Sequence, residues 1–168
     1  MRAARLAAFR QPLVLDRVPD PDPVPGGVVL RVLACGVCRS DWHAWSGADP
    51  DVSLPMTPGH EYCGEVIAAG KGVTRWKTGD RVIAPFILAC GSCGDCAAGN
   101  QTICASQELP GFTRDGAFAE QIMVPFADAN LTALPDSLAP EIAAALGCRV
   151  TTAWQALTGR AQLKPGEW

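Results

Sequence analysis

The chain has 168 residues, enough for one domain of ordinary size with a buried core. It is 48% hydrophobic and 18% charged, which excludes a disordered or fibrous chain. Its net charge of −3, with no basic cluster, argues against a nucleic-acid partner or an anionic membrane surface.

The first half reads as short strands punctuated by Gly and Pro. Arg2 to Phe9 and Pro12 to Val18 are weak strand candidates, and the Pro- and Gly-rich run over 20–27 is a turn-rich connector. Val28 to Ala34 is apolar and β-branched, as a central strand is. Arg39 to Trp45 can make two helical turns. Glu61 to Ala69 and Asp80 to Phe86 read as strands joined by the turn-forming GKGVTRWKTG, followed by strands at Ala117 to Val124 and Asn130 to Leu134. After Pro135 the pattern changes. Pro140 and Glu141 open an Ala-rich helix to Leu146, and a second helix is expected over Thr151 to Ala161. No run approaches the roughly 20 apolar residues of a membrane span, and the start lacks the apolar run of a signal peptide. A cytoplasmic protein is therefore expected. In that reducing compartment eight cysteines read as metal ligands before disulfides. Strands followed by helices, without repeats, point to a mainly β fold with a helical tail, most simply an irregular β-barrel.

Chemistry concentrates between Cys35 and Glu61, a stretch that holds both histidines of the chain, His43 and His60. Cys38 and His60 are metal ligands from separated loops, Asp41 can orient a ligating imidazole, and Ser40 and His43 can pass a proton. Such a set suits a zinc ion that holds an oxygen substrate. Further on, Cys90, Cys93, Cys96 and Cys104 give C-x-x-C-x-x-C and a fourth Cys after seven residues. Four thiolates close the coordination sphere, so this lobe (about 89–105) reads as a structural zinc site. An iron–sulfur cluster also uses cysteine runs. The longer final gap, and Ala105 where one ferredoxin motif has proline, favour zinc.

In GVCRSDWHAW, PGHEYCGEV, TGDRV, CGSCGDCAAGNQTIC and ALGCRVTTAW, taken in order, the chain resembles the zinc-dependent medium-chain alcohol dehydrogenases. The resemblance implies a GroES-like barrel over 1–135 with the zinc lobe inside it. It also implies a helical segment over 136–168 that leads toward a Rossmann nucleotide-binding domain. No G-x-G-x-x-G follows a strand here, so the chain is expected to be the N-terminal catalytic part of a longer enzyme and inactive alone. The resemblance adds Cys148 to Cys38 and His60 as catalytic zinc ligands, the ligand set already established for alcohol dehydrogenases. Two zinc ions per chain follow. It makes Ser40 and His43 the proton relay, Asp41 the acid that orients the ligating histidine, and Glu61 an acid behind the zinc that can approach it. Arg39 and Thr152 become the contacts to NAD or NADP, and Trp45 and Phe86 the substrate-pocket aromatics, with Trp42 a further candidate. Cys35 and Cys63 are left as packing residues.

Two functions remain open at this point. One is reversible oxidation of an alcohol to an aldehyde or ketone with NAD(P), by an enzyme that is a homo-oligomer at full length. The other is a zinc-binding scaffold or interaction module without catalysis, for which the four-cysteine lobe alone would suffice.

Overall fold

The structure, a computed structural model, describes residues 1–167. Strands β1 (Arg2–Arg5) and β2 (Val14–Arg17) form an antiparallel two-stranded sheet with Arg2 opposite Arg17. Strand β3 (Val28–Gly36) leads into helix α1 (Arg39–Ser46). The chain returns through β4 (Glu61–Ala69) and β5 (Arg81–Ile83). Helix α2 (Gly94–Ala97) lies in the cysteine lobe, and β6 (Gln121–Val124), α3 (Ala127–Asn130) and β7 (Thr132–Ala133) follow. The main sheet has five antiparallel strands in the order β6-β3-β4-β5-β7.

The expected class, mainly β with a helical tail, is what the chain adopts. Among the described residues the ladder does not close into a barrel, and β6 and β7 stand at its edges. The sheet curls instead. The Ala4 amide donates to the Phe118 carbonyl at 2.8 Å and that of Glu120 to the Arg2 carbonyl at 3.1 Å, which draws the first hairpin onto the segment before β6. Two register shifts along β3 and β4 sharpen the bend, because a bulge adds local twist.

The core follows from alternation on these strands. Val28, Leu30, Tyr62, Val66, Val82, Leu88, Ile122 and Val124 are buried together, with Val73 and Trp76 of the connecting turn packed against them. A second cluster joins Leu6 to Ala44, Val52, Met56 and Phe112 and so fixes α1 against the first strand. A third, of Cys63, Leu134 and Ala143, seats helix α4 (Pro140–Ala144) against the sheet. Beyond α4 the helix widens to a π-turn over Leu146–Val150, continues as α5 (Thr151–Trp154), and widens again over Gln155–Arg160. Such widened turns occur frequently at functional sites.

The expected strands are found at their places, several of them shorter than the sequence pattern suggests. Arg2 to Phe9 ends at Arg5, and Asp80 to Phe86 contracts to three residues. No helix among the described residues is long and apolar enough to cross a membrane.

Two cysteine-centred candidate metal sites

The first site forms where α1 starts, where β4 starts and where the tail widens. Cys38 stands just before α1 in extended conformation, and its amide donates to Asp41 Oδ2 at 2.8 Å, so Asp41 caps its own helix. The other oxygen of Asp41 reaches the second loop. Oδ1 accepts the Gly59 amide at 3.2 Å and lies 3.1 Å from His60 Nδ1. One buried carboxylate thereby fixes the Cys38 and Gly59 backbones and the His60 ring.

Gly59 makes the approach possible. Its φ is +102°, in the left-handed region, and a Cβ there would lie 2.7 Å from the Phe118 ring and 3.0 Å from Cys35 Sγ. His60 is 1% exposed. Its Nδ1 faces Asp41, and its Nε2 is buried with no hydrogen-bond partner among the described residues. A buried, unpaired ring nitrogen costs free energy unless a ligand meets it.

What faces that region is a set of sulfur, nitrogen and oxygen donors. One ligand atom each from Cys38, His60, Glu61 and Cys148 lies within 4.8 Å of all the others. Cys148 comes from the π-turn. Burial, then the neighbouring Cys38 and Glu61 charges, pushes its pKa up to about 12. Burial opposes ionisation of Cys38 as well. There the amide and hydroxyl of Ser40 and the nearby imidazole outweigh it, and the Cys38 pKa falls below the usual thiol value. Burial likewise works against a charged His60, but Asp41 prevails and raises its pKa. Two thiols and a carboxylate gathered around an orphaned imidazole nitrogen make a candidate cation site, and sulfur and nitrogen donors suit zinc.

Glu61 differs from its sequence expectation in what holds it. It is fully buried, and Arg149 claims its carboxylate. The Arg149 amide and Nε donate to Oε1 at 3.2 and 3.1 Å, and Nη2 bonds Oε2. Sequence reasoning missed Arg149. The available signal was an arginine directly after a candidate ligand in a chain with a buried acid to neutralise.

The remaining candidates lie around this centre. Ser40 Oγ is 3.9 Å from Cys38 Sγ. His43 is exposed, one turn along α1, with its ring edge-on to Trp42 at 5.5 Å. The Arg39 guanidinium stacks over Trp42 at 4.3 Å from the ring centre. Phe86 and Thr152 line one cleft of about 780 Å³ between the lobe and the tail, with Gly147, Thr151 and Trp154. Trp45 is placed elsewhere. Its ring packs into the second core cluster, and its indole N–H donates to the Gln11 carbonyl at 2.7 Å. Cys35 and Cys63 lie outside the donor set. Burial pushes the Cys35 thiol up to about 12, and the Cys63 thiol donates to the Pro140 carbonyl at 3.3 Å.

The second site is the lobe. Cys90 and Cys96 sulfurs are 4.0 Å apart, Cys93 and Cys104 3.9 Å, and Cys90 and Cys104 3.5 Å. Four sulfurs at about 2.3 Å from a tetrahedral zinc would be spaced by roughly 3.8 Å, so these distances fit one closed ion. The amides of Ser92 and Cys93 stabilise a thiolate on Cys90 and lower its pKa to about 6. Burial pushes Cys96 up to about 12, with the neighbouring sulfurs adding to it.

Comparison with known proteins places this geometry in a family. The alcohol dehydrogenase GroES-like domain matches residues 24–136. An alcohol dehydrogenase of Geobacillus stearothermophilus is 41% identical over 172 aligned residues, which take in all of this chain and 50% of that protein. An alcohol dehydrogenase from Thermus sp. ATN1 superposes with a TM-score of 0.91 at 35% identity, covering 99% of this chain and 49% of that one. A cobalt- and zinc-bound thermostable alcohol dehydrogenase from Pyrobaculum aerophilum gives 0.89 at 34%, with 99% and 50% covered. The chain thus spans about half the length of the relatives it matches. A GroES-like match over most of the chain, with full-chain similarity to alcohol dehydrogenases, has one reading: this chain belongs to the alcohol dehydrogenase GroES-like domain family.

Proposed function

We propose that the chain is the catalytic part of a zinc-dependent alcohol dehydrogenase that interconverts an alcohol with an aldehyde or ketone using NAD or NADP. The observation that carries this reading is the buried, unpartnered His60 Nε2 facing the sulfurs of Cys38 and Cys148. A scaffold needs the closed lobe alone. A second donor set with only three soft or borderline ligands leaves a coordination position for a substrate oxygen. A zinc ion held there supplies Lewis acidity, which lowers the pKa of such an oxygen toward neutrality.

The chain's own residues do the rest. Asp41 holds His60 in the tautomer that turns Nε2 inward. Ser40, at the edge of the sulfur cluster, is placed to take the proton of the alcohol. His43, three residues on and on the same helix face, is exposed and passes that proton to solvent. Phe86 contributes an apolar wall to the cleft. Arg39, held flat on Trp42, offers a guanidinium for a cofactor phosphate, and Thr152 a hydroxyl at the cleft. The nicotinamide cofactor supplies the hydride acceptor when bound. Residues 136–168 are proposed to lead into the domain that holds it.

The test is formation of reduced nicotinamide by the full-length protein, with NAD and NADP separately, over short, long and aromatic alcohols. Turnover in the parent protein that falls by about 10²-fold or more in Ser40→Ala is expected. An inactive parent that still binds zinc at both sites would favour the scaffold reading.

A further inference from the structure

We propose that Arg149 is a positioning residue that keeps the Glu61 carboxylate out of the coordination position left open by Cys38, His60 and Cys148. The proposal rests on the three-ligand reading given above. A carboxylate oxygen of Glu61 lies within 4.8 Å of each of the other three donors, so the acid is close enough to compete with a substrate oxygen for the same ion. It is also fully buried.

Arg149 removes that competition by geometry. Its backbone amide and Nε take Oε1, and Nη2 takes Oε2, so both carboxylate oxygens are engaged. The same Nη2 donates to the Val37 carbonyl at 2.7 Å, directly before Cys38. One guanidinium therefore ties the acid to the loop of one ligand from a residue adjacent to another. Gly36 leaves the space for it. A Cβ at Gly36 would lie 2.7 Å from Glu61 Oε2 and 3.5 Å from Arg149 Nη2. Arginine suits the task because it stays protonated and grips both oxygens, whereas lysine offers a single point charge. Without that partner, a buried carboxylate would turn to the nearest cation, the ion in the site.

The readout is the visible spectrum of the cobalt-substituted protein titrated with imidazole, which enters an open coordination position. Difference spectra against the same protein without imidazole cancel the lobe. The proposal expects a saturable spectral change in the unaltered protein. In Arg149→Gln it should need about tenfold or more imidazole. Arg149→Lys should fall between them, and Arg149→Gln with Glu61→Gln should recover the original response. A folded Arg149→Gln protein with unchanged imidazole binding would overturn the proposal. So would a double variant that fails to recover while circular dichroism shows it folded. One metal per chain, confined to the lobe, would overturn the three-ligand reading along with it. Two metals without any imidazole response in the unaltered protein would overturn the open position and the proposal with it, whereas the unchanged Arg149→Gln response overturns the proposal alone.

Discussion

Asp41 is the residue on which the first site turns. It accepts from the amides of Cys38 and Gly59 and faces His60 Nδ1, so three separate constraints end on one carboxylate. Asp41→Ala leaves two amides and a ring nitrogen without their acceptor, each a loss of about 1–3 kcal/mol where the group stays dry. It should also weaken zinc at this site by about 10–100-fold, because the imidazole loses the partner that fixes its tautomer. Chelator competition on the variant measures this directly, and unchanged affinity would remove Asp41 from the account. The sequence carried this pairing in readable form, since Cys38, Asp41 and His60 are chemically marked residues at marked spacings. It did not carry the Arg149–Glu61 pair, which joins residues 88 apart that no local spacing relates. Nor did it show that Trp45 packs against the second core cluster, because an indole that packs a core and one that lines a cleft have the same local signature.

At the scale of elements, the lobe and the main sheet are held by different means. The sheet has a dozen buried residues in one cluster, whereas the lobe's own cluster consists of Ala89 and cysteines. With so little apolar surface of its own, the lobe would depend on a metal held by its four cysteines, and a structural zinc can contribute about 10 kcal/mol of apparent binding energy. Cys93→Ser should therefore lower the melting temperature more than Cys38→Ser, by several degrees. Equal or reversed effects in thermal unfolding would sink this ranking. The four-cysteine spacing made the lobe legible. The two short helices Gly94–Ala97 and Ala127–Asn130 were not, because four residues make one turn and leave no periodic pattern to read. Strand ends were misjudged for a related reason. Arg2 to Phe9 stays apolar beyond Arg5, but only the first four residues find a partner in the hairpin.

Across the whole molecule, the order of strands followed by helices was readable from composition and turn residues. The sheet order was not, since β6 pairs with β3 across roughly ninety residues, and such pairing depends on tertiary packing. The two candidate metal sites belong to different parts of this architecture. One is closed within a lobe of a single loop. The other is assembled from the entry to α1, the entry to β4 and the π-turn of the tail, and it can form only when the sheet and tail have docked. We propose that the two sites bind metal independently, one closed by four thiolates and one left open by three ligands. Zinc per chain, measured by elemental analysis on the unaltered protein and on Cys38→Ser with Cys148→Ser, tests it most directly. Two zinc ions are expected in the first and one in the second, with the remaining ion retained against mild chelation. A single zinc in the unaltered protein, or two in the double variant, would contradict it.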